Sequence, residues 1–218
     1  MAQSYKIIVT GESRSFAEGH TFVDRASSDA SACVYVGAGA GRRFAHDKAS
    51  LAGVPFVLVE LGTECLGAYL DEGEAANVFG FARFRLGHAA PSNLIELVRP
   101  AGTGDEALAA AKDAFASAGL VVAVCGDFPG RIVDRLARPY YNAALRRLDE
   151  KLASAADLDK TLCLGLGYPE GPIALLERSG LAHHYGVTKA LYESLGDPAY
   201  APARRATNAA ARAALKDD

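Results

Sequence analysis

The alternation of strand-like and helix-like runs stops at residue 126. Before it, short strand-like runs recur at 5–10 (YKIIVT, β-branched), 32–36 (ACVYV), 54–60 (VPFVLVE), 77–83, 94–100 (LIELVRP) and 120–125 (LVVAVC). Between them lie helical patterns at 15–26 (weak), 44–52, 66–71 (short) and 105–118. The run at 54–60 is apolar on both faces, as in a strand covered by helices on either side of a parallel sheet. Strand–helix alternation of this kind predicts an α/β layer structure with a mostly parallel sheet.

After residues 127–130 no strand pattern follows. Residues 131–152 carry Ile132, Leu136, Tyr140, Leu148 and Leu152 at four- and eight-residue spacings, a helical period. Pro139 lies inside this run and lacks a backbone donor, so a kink is expected there. Ser154 with Asp157 reads as the capped start of a helix over 155–164, and Gly165, Gly167 and Pro169 end it. Further helices are expected over 172–179, 182–195 and 202–215. The expectation is two domains: a small α/β domain over 1–126 and an all-α domain over 127–218.

Composition excludes several classes. Half of the 218 residues are apolar and 22 % are charged, so a disordered chain does not fit. Residues 1–126 hold 10 basic and 14 acidic side chains, and residues 127–218 hold 13 and 12. Neither part is basic enough for a nucleic-acid footprint. Arg204, Arg205, Arg212 and Lys216 read as a solvated helix face. Cys33, Cys65, Cys125 and Cys163 are far apart and show no C-x-x-C spacing, so neither a metal site nor a disulfide framework is expected. Reduced thiols, no leader-like start and no apolar run approaching about 18 residues point to a cytoplasmic protein that does not enter membranes.

A dinucleotide needs glycines directly after the first strand, where backbone amides approach the pyrophosphate. Reading G-x-G-x-x-G from Gly11 puts Ser13 and Phe16 at the second and third glycine positions. Residues 37–41 (GAGAG) are a second partial match, with Arg42 where the last glycine is wanted. Gly11 is therefore a weak cofactor-binding candidate, and tight turns are the simpler reading of both stretches.

Residues 128–136 (FPGRIVDRL) and 138–145 (RPYYNAAL) resemble a signature of the 3-hydroxyacyl-CoA dehydrogenases, P-G-F-x-V-N-R followed by P and N-E-A. Residues 153–160 (ASAADLDK), 164–172 (LGLGYPEGP) and 191–198 (LYESLGDP) continue the resemblance in order, so that it covers about residues 120–202. Upstream, residues 77–80 (NVFG) and 94–98 (LIELV) are similar to segments that flank the family's H-F-F-N-P. The resemblance implies a truncated Rossmann-like domain followed by a helical domain of the 6-phosphogluconate-dehydrogenase C-terminal-like type. About 126 residues before the helical part are few for a dinucleotide domain, and the chain resembles the second half of long, duplicated members.

In that family a His takes the hydroxyl proton of a 3-hydroxyacyl thioester, a Glu holds the His, and a Ser and an Asn bond the substrate oxygens, with hydride passing to NAD. Carried over, the His position is Ala82, the Glu position is Glu96, the Asn position is Asp134 and the Ser position is Glu64. Alanine carries no proton, and Arg83 beside it stays a cation. Glu96 and Asp134 are thus the retained catalytic positions. His88, six residues beyond Ala82, is the one histidine placed to substitute. NAD is implied by the resemblance alone.

Two functions follow as expectations. One is a family member in or beside fatty-acyl-CoA or aromatic degradation, impaired or inactive in NAD-dependent oxidation as an isolated chain. The other is a non-catalytic dimerisation, scaffold or acyl-CoA-binding subunit. The resemblance implies a homodimer, or a heterodimer with a full-length paralogue, through the helical domain. Whether the chain is an enzyme stays open at this level, because activity is argued from a site and not from ancestry.

Overall fold

The computed structural model describes residues 4–71, 73 and 76–217. The chain divides into two compact units. One comprises Met1–Arg85 with Pro91–Arg131, and the other Leu86–Ala90 with Ile132–Asp218. The α/β-then-helical architecture is the one the sequence predicts.

The first unit is built on six strands: β1 (Tyr5–Val9), β2 (Ala32–Val36), β3 (Val57–Glu60), β4 (Val78–Arg83), β5 (Leu94–Val98) and β6 (Val121–Cys125). Their order in the sheet is their order in the chain. All neighbours are parallel except β4 and β5. Side chains alternate between faces, so Ala32, Val34 and Val36 enter one core and Cys33 and Tyr35 the other. The helix α2 (Ala40–Asp47) contributes Ala40 and Phe44 to the second core. The helix α3 (Asp105–Ala116) contributes Ala111, Ala114 and Phe115 to the first. Covered on both faces, β2 is buried at every position, which is why it reads as an unbroken apolar run.

The short helix expected over 66–71 is a single 3-10 turn, Leu66–Ala68, and two longer helices also differ from the sequence reading. Only Thr21–Asp24 (α1) of the run at 15–26 is helical. Ser13 Oγ accepts from Phe16 N at 3.0 Å, and a carboxylate takes Ser15 N, so side chains satisfy amides that a helix would have used. The irregular path buries Phe16 in an aromatic stack: its ring lies 5.1 Å from Phe22, and Phe22 lies 4.7 Å from Phe115. The other difference is α2, which starts at Ala40 rather than 44, inside the glycine run. A Cβ on Gly37 would come within 2.4 Å of Gly11 O, and one on Gly39 within 2.9 Å of Thr10 O. The glycines are there because the turns after β1 and β2 interlock.

The second unit holds α4 (Ile132–Asp149), α5 (Ala155–Leu166), α6 (Pro172–Ser179), α7 (Leu181–Leu195) and α8 (Arg204–Asp217). Ser154 caps α5, its hydroxyl accepting from Asp157 N at 3.1 Å. The helix α4 continues through Pro139. Proline at 139 leaves the carbonyl of Arg135, four residues earlier, without its helical donor. The hydroxyl of Tyr200 donates to that carbonyl at 2.9 Å and fills the gap.

A buried polar chain ties α4 to α7. Arg138 Nη1 meets His184 Nδ1 at 3.1 Å, and His184 Nε2 meets Asn142 Oδ1 at 3.0 Å. Asn142 Nδ2 donates to Thr188 Oγ1 at 2.7 Å, and Thr188 Oγ1 donates to Tyr200 O at 2.7 Å. Arginine only donates, so Nδ1 of His184 accepts and its proton sits on Nε2. Each member is then satisfied in a single direction, which is what makes a buried polar network stabilising.

Candidate functional site

The antiparallel pairing of β4 and β5 puts Ala82 directly opposite Glu96. Directly opposed residues share a face of the sheet, with Cβ atoms about 5 Å apart. Glu96 is 1 % exposed and Ala82 is 9 % exposed. The side chain facing the buried carboxylate across this pair is therefore a methyl group, which neither accepts nor relays a proton. Arg83 is held elsewhere. Its guanidinium donates to Ser15 O at 2.8 Å and to Ser92 O at 2.7 Å, and lies 5.5 Å from the Phe16 ring. It fixes the loop after β1.

The other carried-over positions have partners of their own. Glu64 lies in the loop after β3, where its carboxylate accepts from Gly62 N at 3.0 Å. Its carbonyl accepts from Arg131, which is 2 % exposed and whose Nε and Nη1 have no hydrogen-bond partner among the described residues. Asp134, in the first turn of α4, pairs with Arg138 Nε at 2.7 Å. Asp134 thereby balances the buried cation of the polar chain. His88 belongs to the helical unit, where its amide donates to Ser179 O at 3.3 Å. Gly87 before it is required, since a Cβ there would fall 1.4 Å from Ser179 O. Burial pushes the Cys125 thiol up, which disfavours a thiolate nucleophile.

The ends of β1, β2 and β3 form the edge where open α/β sheets bind ligands. Here Glu60, the last residue of β3, reaches across that edge. Its Oε1 accepts from Ser15 N at 2.7 Å and Ser13 Oγ at 3.0 Å, and its Oε2 accepts from Gly37 N at 2.6 Å. The cleft beside it, about 250 Å³, is lined by Glu12, Glu60 and Glu64, with Arg14 the one cation among the described lining residues.

These residues do not fit a dinucleotide. The amides a pyrophosphate would need are held by Glu60, and the lining is net negative. Gly11, the weak candidate, has φ 124° and forms the turn that Gly37 packs against. The dinucleotide crevice also needs a reversal of strand order, and this sheet runs in strict chain order. Among the described residues no group of three or more His, Cys, Asp or Glu is arranged to hold a metal. None of their helices is long and apolar enough to cross a membrane.

The helical unit has a cavity of its own, about 510 Å³, lined by Ile132, Leu136, Tyr140, Tyr141, Tyr168 and Leu175 among others. Leu136 is 74 % exposed and Ile132 is 40 % exposed, while Tyr140 Oη is buried with no hydrogen-bond partner among the described residues. Burial, with the neighbouring tyrosines, pushes the Tyr140 hydroxyl up to about 12. The sequence reading missed Glu60, Arg131 and the Arg135–Tyr200 link. Only Glu60 left a signal, an acidic residue closing an otherwise apolar strand.

Residues 130–216 match the family described as 3-hydroxyacyl-CoA dehydrogenase, C-terminal domain. A 3-hydroxybutyryl-CoA dehydrogenase of Bradyrhizobium diazoefficiens is 36 % identical over 109 residues, 50 % of this chain and 37 % of that protein. A 3-hydroxyadipyl-CoA dehydrogenase of Escherichia coli is 31 % identical over 141 residues, 64 % of this chain and 30 % of that protein. The matched part is thus well under half the length of either relative. Among solved structures, a 3-hydroxybutyryl-CoA dehydrogenase from Escherichia coli superposes with a TM-score of 0.71 at 24 % identity, over 83 % of this chain and 39 % of that one. That likeness concerns the fold.

Proposed function

We propose that this chain, whose residues 130–216 match the 3-hydroxyacyl-CoA dehydrogenase C-terminal domain family, acts in or beside fatty-acyl-CoA or aromatic degradation without itself carrying out NAD-dependent oxidation. The observation that carries this reading is the Ala82–Glu96 pair. Oxidation of a 3-hydroxyacyl thioester needs a group that removes the hydroxyl proton, within hydrogen-bond reach of it. The resemblance puts that group at position 82, where the side chain is a methyl. Glu96 is retained, but its family task is to orient a base that this position does not supply. The acidic cleft at Glu60 supports the same reading, since it disfavours the phosphates of the hydride acceptor.

The test is direct. The purified chain is assayed with acetoacetyl-CoA and NADH, and with 3-hydroxybutyryl-CoA and NAD. No turnover above background is expected, and robust turnover by the isolated chain overturns the proposal.

A second reading rests on the helical unit. An exposed apolar groove that includes Leu136 and Ile132 is more than a soluble unit needs on its own surface. It supports a dimerising, scaffolding or acyl-CoA-binding subunit that pairs with itself or with a full-length paralogue in the cytoplasm. Size-exclusion chromatography of the chain, alone and mixed with a full-length relative, decides the pairing. Calorimetry with acetoacetyl-CoA decides the binding.

A further inference from the structure

Ser13, Ser15 and Gly37 present three donors to one point, and they come from two different loops. The loop after β1 supplies Ser13 Oγ and Ser15 N, and the loop after β2 supplies Gly37 N. The loops are locked together by the close approach of Gly37 to Gly11 O, and Gly37 holds φ 102° to do so. Converging backbone amides in such a concavity bind oxyanions, because oriented N–H dipoles favour negative charge at low reorganisation cost. In this chain the oxyanion at that point is the side chain of Glu60, 7 % exposed.

We propose that the Ser13–Ser15–Gly37 cradle is a phosphate-type anion site that the chain fills with its own Glu60 carboxylate, and that removing the carboxylate turns the cradle into a binding site for inorganic phosphate or pyrophosphate. A carboxylate and a phosphate present similar oxygens to amide donors, so the same three donors serve either. The internal anion has the advantage of proximity, since it is tethered to β3 and pays no association entropy. Glu12 and Glu64, which line the same cleft, repel a free anion in the wild type and in the variants alike, so phosphate enters the emptied cradle against them. The idea goes beyond the reading above, because anion binding reads it out and turnover does not.

The experiment compares the full wild-type chain with Glu60→Ala and Glu60→Gln. Thermal unfolding is followed by circular dichroism in phosphate or pyrophosphate against chloride of equal ionic strength. The wild type is expected to show no phosphate-specific shift. Glu60→Ala is expected to melt lower in chloride, and to rise by roughly 5–10 °C when phosphate reaches about 100 times its Kd. Glu60→Gln keeps the shape and loses the charge, so it is expected to gain a smaller phosphate response. If Glu60→Ala is unfolded in chloride, recovery of its folded signal in phosphate supports the proposal and failure to recover overturns it. A phosphate shift in the wild type equal to that of Glu60→Ala overturns it, and so do folded variants that show no phosphate response.

Discussion

Ala82 and Glu96 face each other across the antiparallel β4–β5 pair, and only the carboxylate of the two is able to exchange a proton. Putting an imidazole back across from Glu96 tests how much of a catalytic dyad survives. Ala82→His buries a larger side chain in a packed sheet and is expected to cost about 1–3 kcal/mol. A nearby carboxylate favours the charged imidazole, while burial opposes it. With the carboxylate prevailing, the folded pKa of His at 82 rises above about 6.5. Its stabilising contribution is then full below that value and is lost as pH climbs through the raised one. Proton NMR titration of the new imidazole reads this, and Glu96→Gln in the same background should lower the value. Reduction of acetoacetyl-CoA by NADH should stay absent in Ala82→His, because Glu60 still holds the amides of the ligand edge. Recovered turnover would show that the edge accepts the cofactor after all.

Tyr200 and Arg135 lie far apart in sequence and are joined because Pro139 removes a helix donor. Tyr200→Phe deletes the hydroxyl and its bond to this part-buried carbonyl, at an expected cost of about 0.5–1.5 kcal/mol. Pro139→Ala returns an N–H to the same carbonyl. In that background the cost of Tyr200→Phe is expected to shrink, and a double-mutant cycle in urea reads the difference. Equal costs in the two backgrounds would disconnect Tyr200 from the proline.

The parts of the fold legible in the sequence are those set by local pattern. Runs such as VLVE and ACVYV give strands because their apolar side chains, several of them β-branched, suit a covered sheet. Ser154 announces α5 because capping is a contact over three residues. What depended on distant partners was not legible. The run at 15–26 has enough helix-compatible residues, yet burial of Phe16 against Phe22 and Phe81 outweighs that weak propensity. The start of α2 lay hidden in a glycine run whose glycines answer to the backbone of another loop. The Ala82 and Glu96 positions came from the family resemblance, and strand register then paired them. Glu60 stayed unseen because its donors lie 23 to 47 residues away in sequence. Asp134 matched a family position, but its local i,i+4 partner Arg138 gives it a structural task.

His184 gives the helical unit a pH dependence of definite sign. Burial first, then the Arg138 guanidinium and His183, lowers its pKa to about 3. The unfolded chain takes up this proton near pH 6.5, and the native state refuses it until about pH 3. Stability from His184 is therefore full above about pH 6.5 and is lost as pH falls through that window, by up to about 1.4 kcal/mol per unit. His184→Gln removes the titration. Its destabilisation relative to wild type, from urea unfolding, is expected to be larger at about pH 7 than at about pH 4. An equal difference at both values would mean that native His184 titrates like an exposed imidazole.

Leu136 is the residue to change in order to test the helical groove as a contact surface. It is 74 % exposed, so little of its side chain contributes to the packing of its own unit. Leu136→Glu is expected to change monomer stability by no more than about 0.5 kcal/mol, as for an ordinary surface substitution. Placed in an apolar interface the same carboxylate would be desolvated without a partner, a cost large enough to break a dimer. Sedimentation of wild type and Leu136→Glu over a concentration series separates the two effects. A wild-type assembly that dissociates in the variant, with unchanged urea midpoints at low concentration, is the expected result. A monomer in both, or an assembly that survives the charge, would take the groove out of the pairing surface and leave its apolar lining to a smaller ligand.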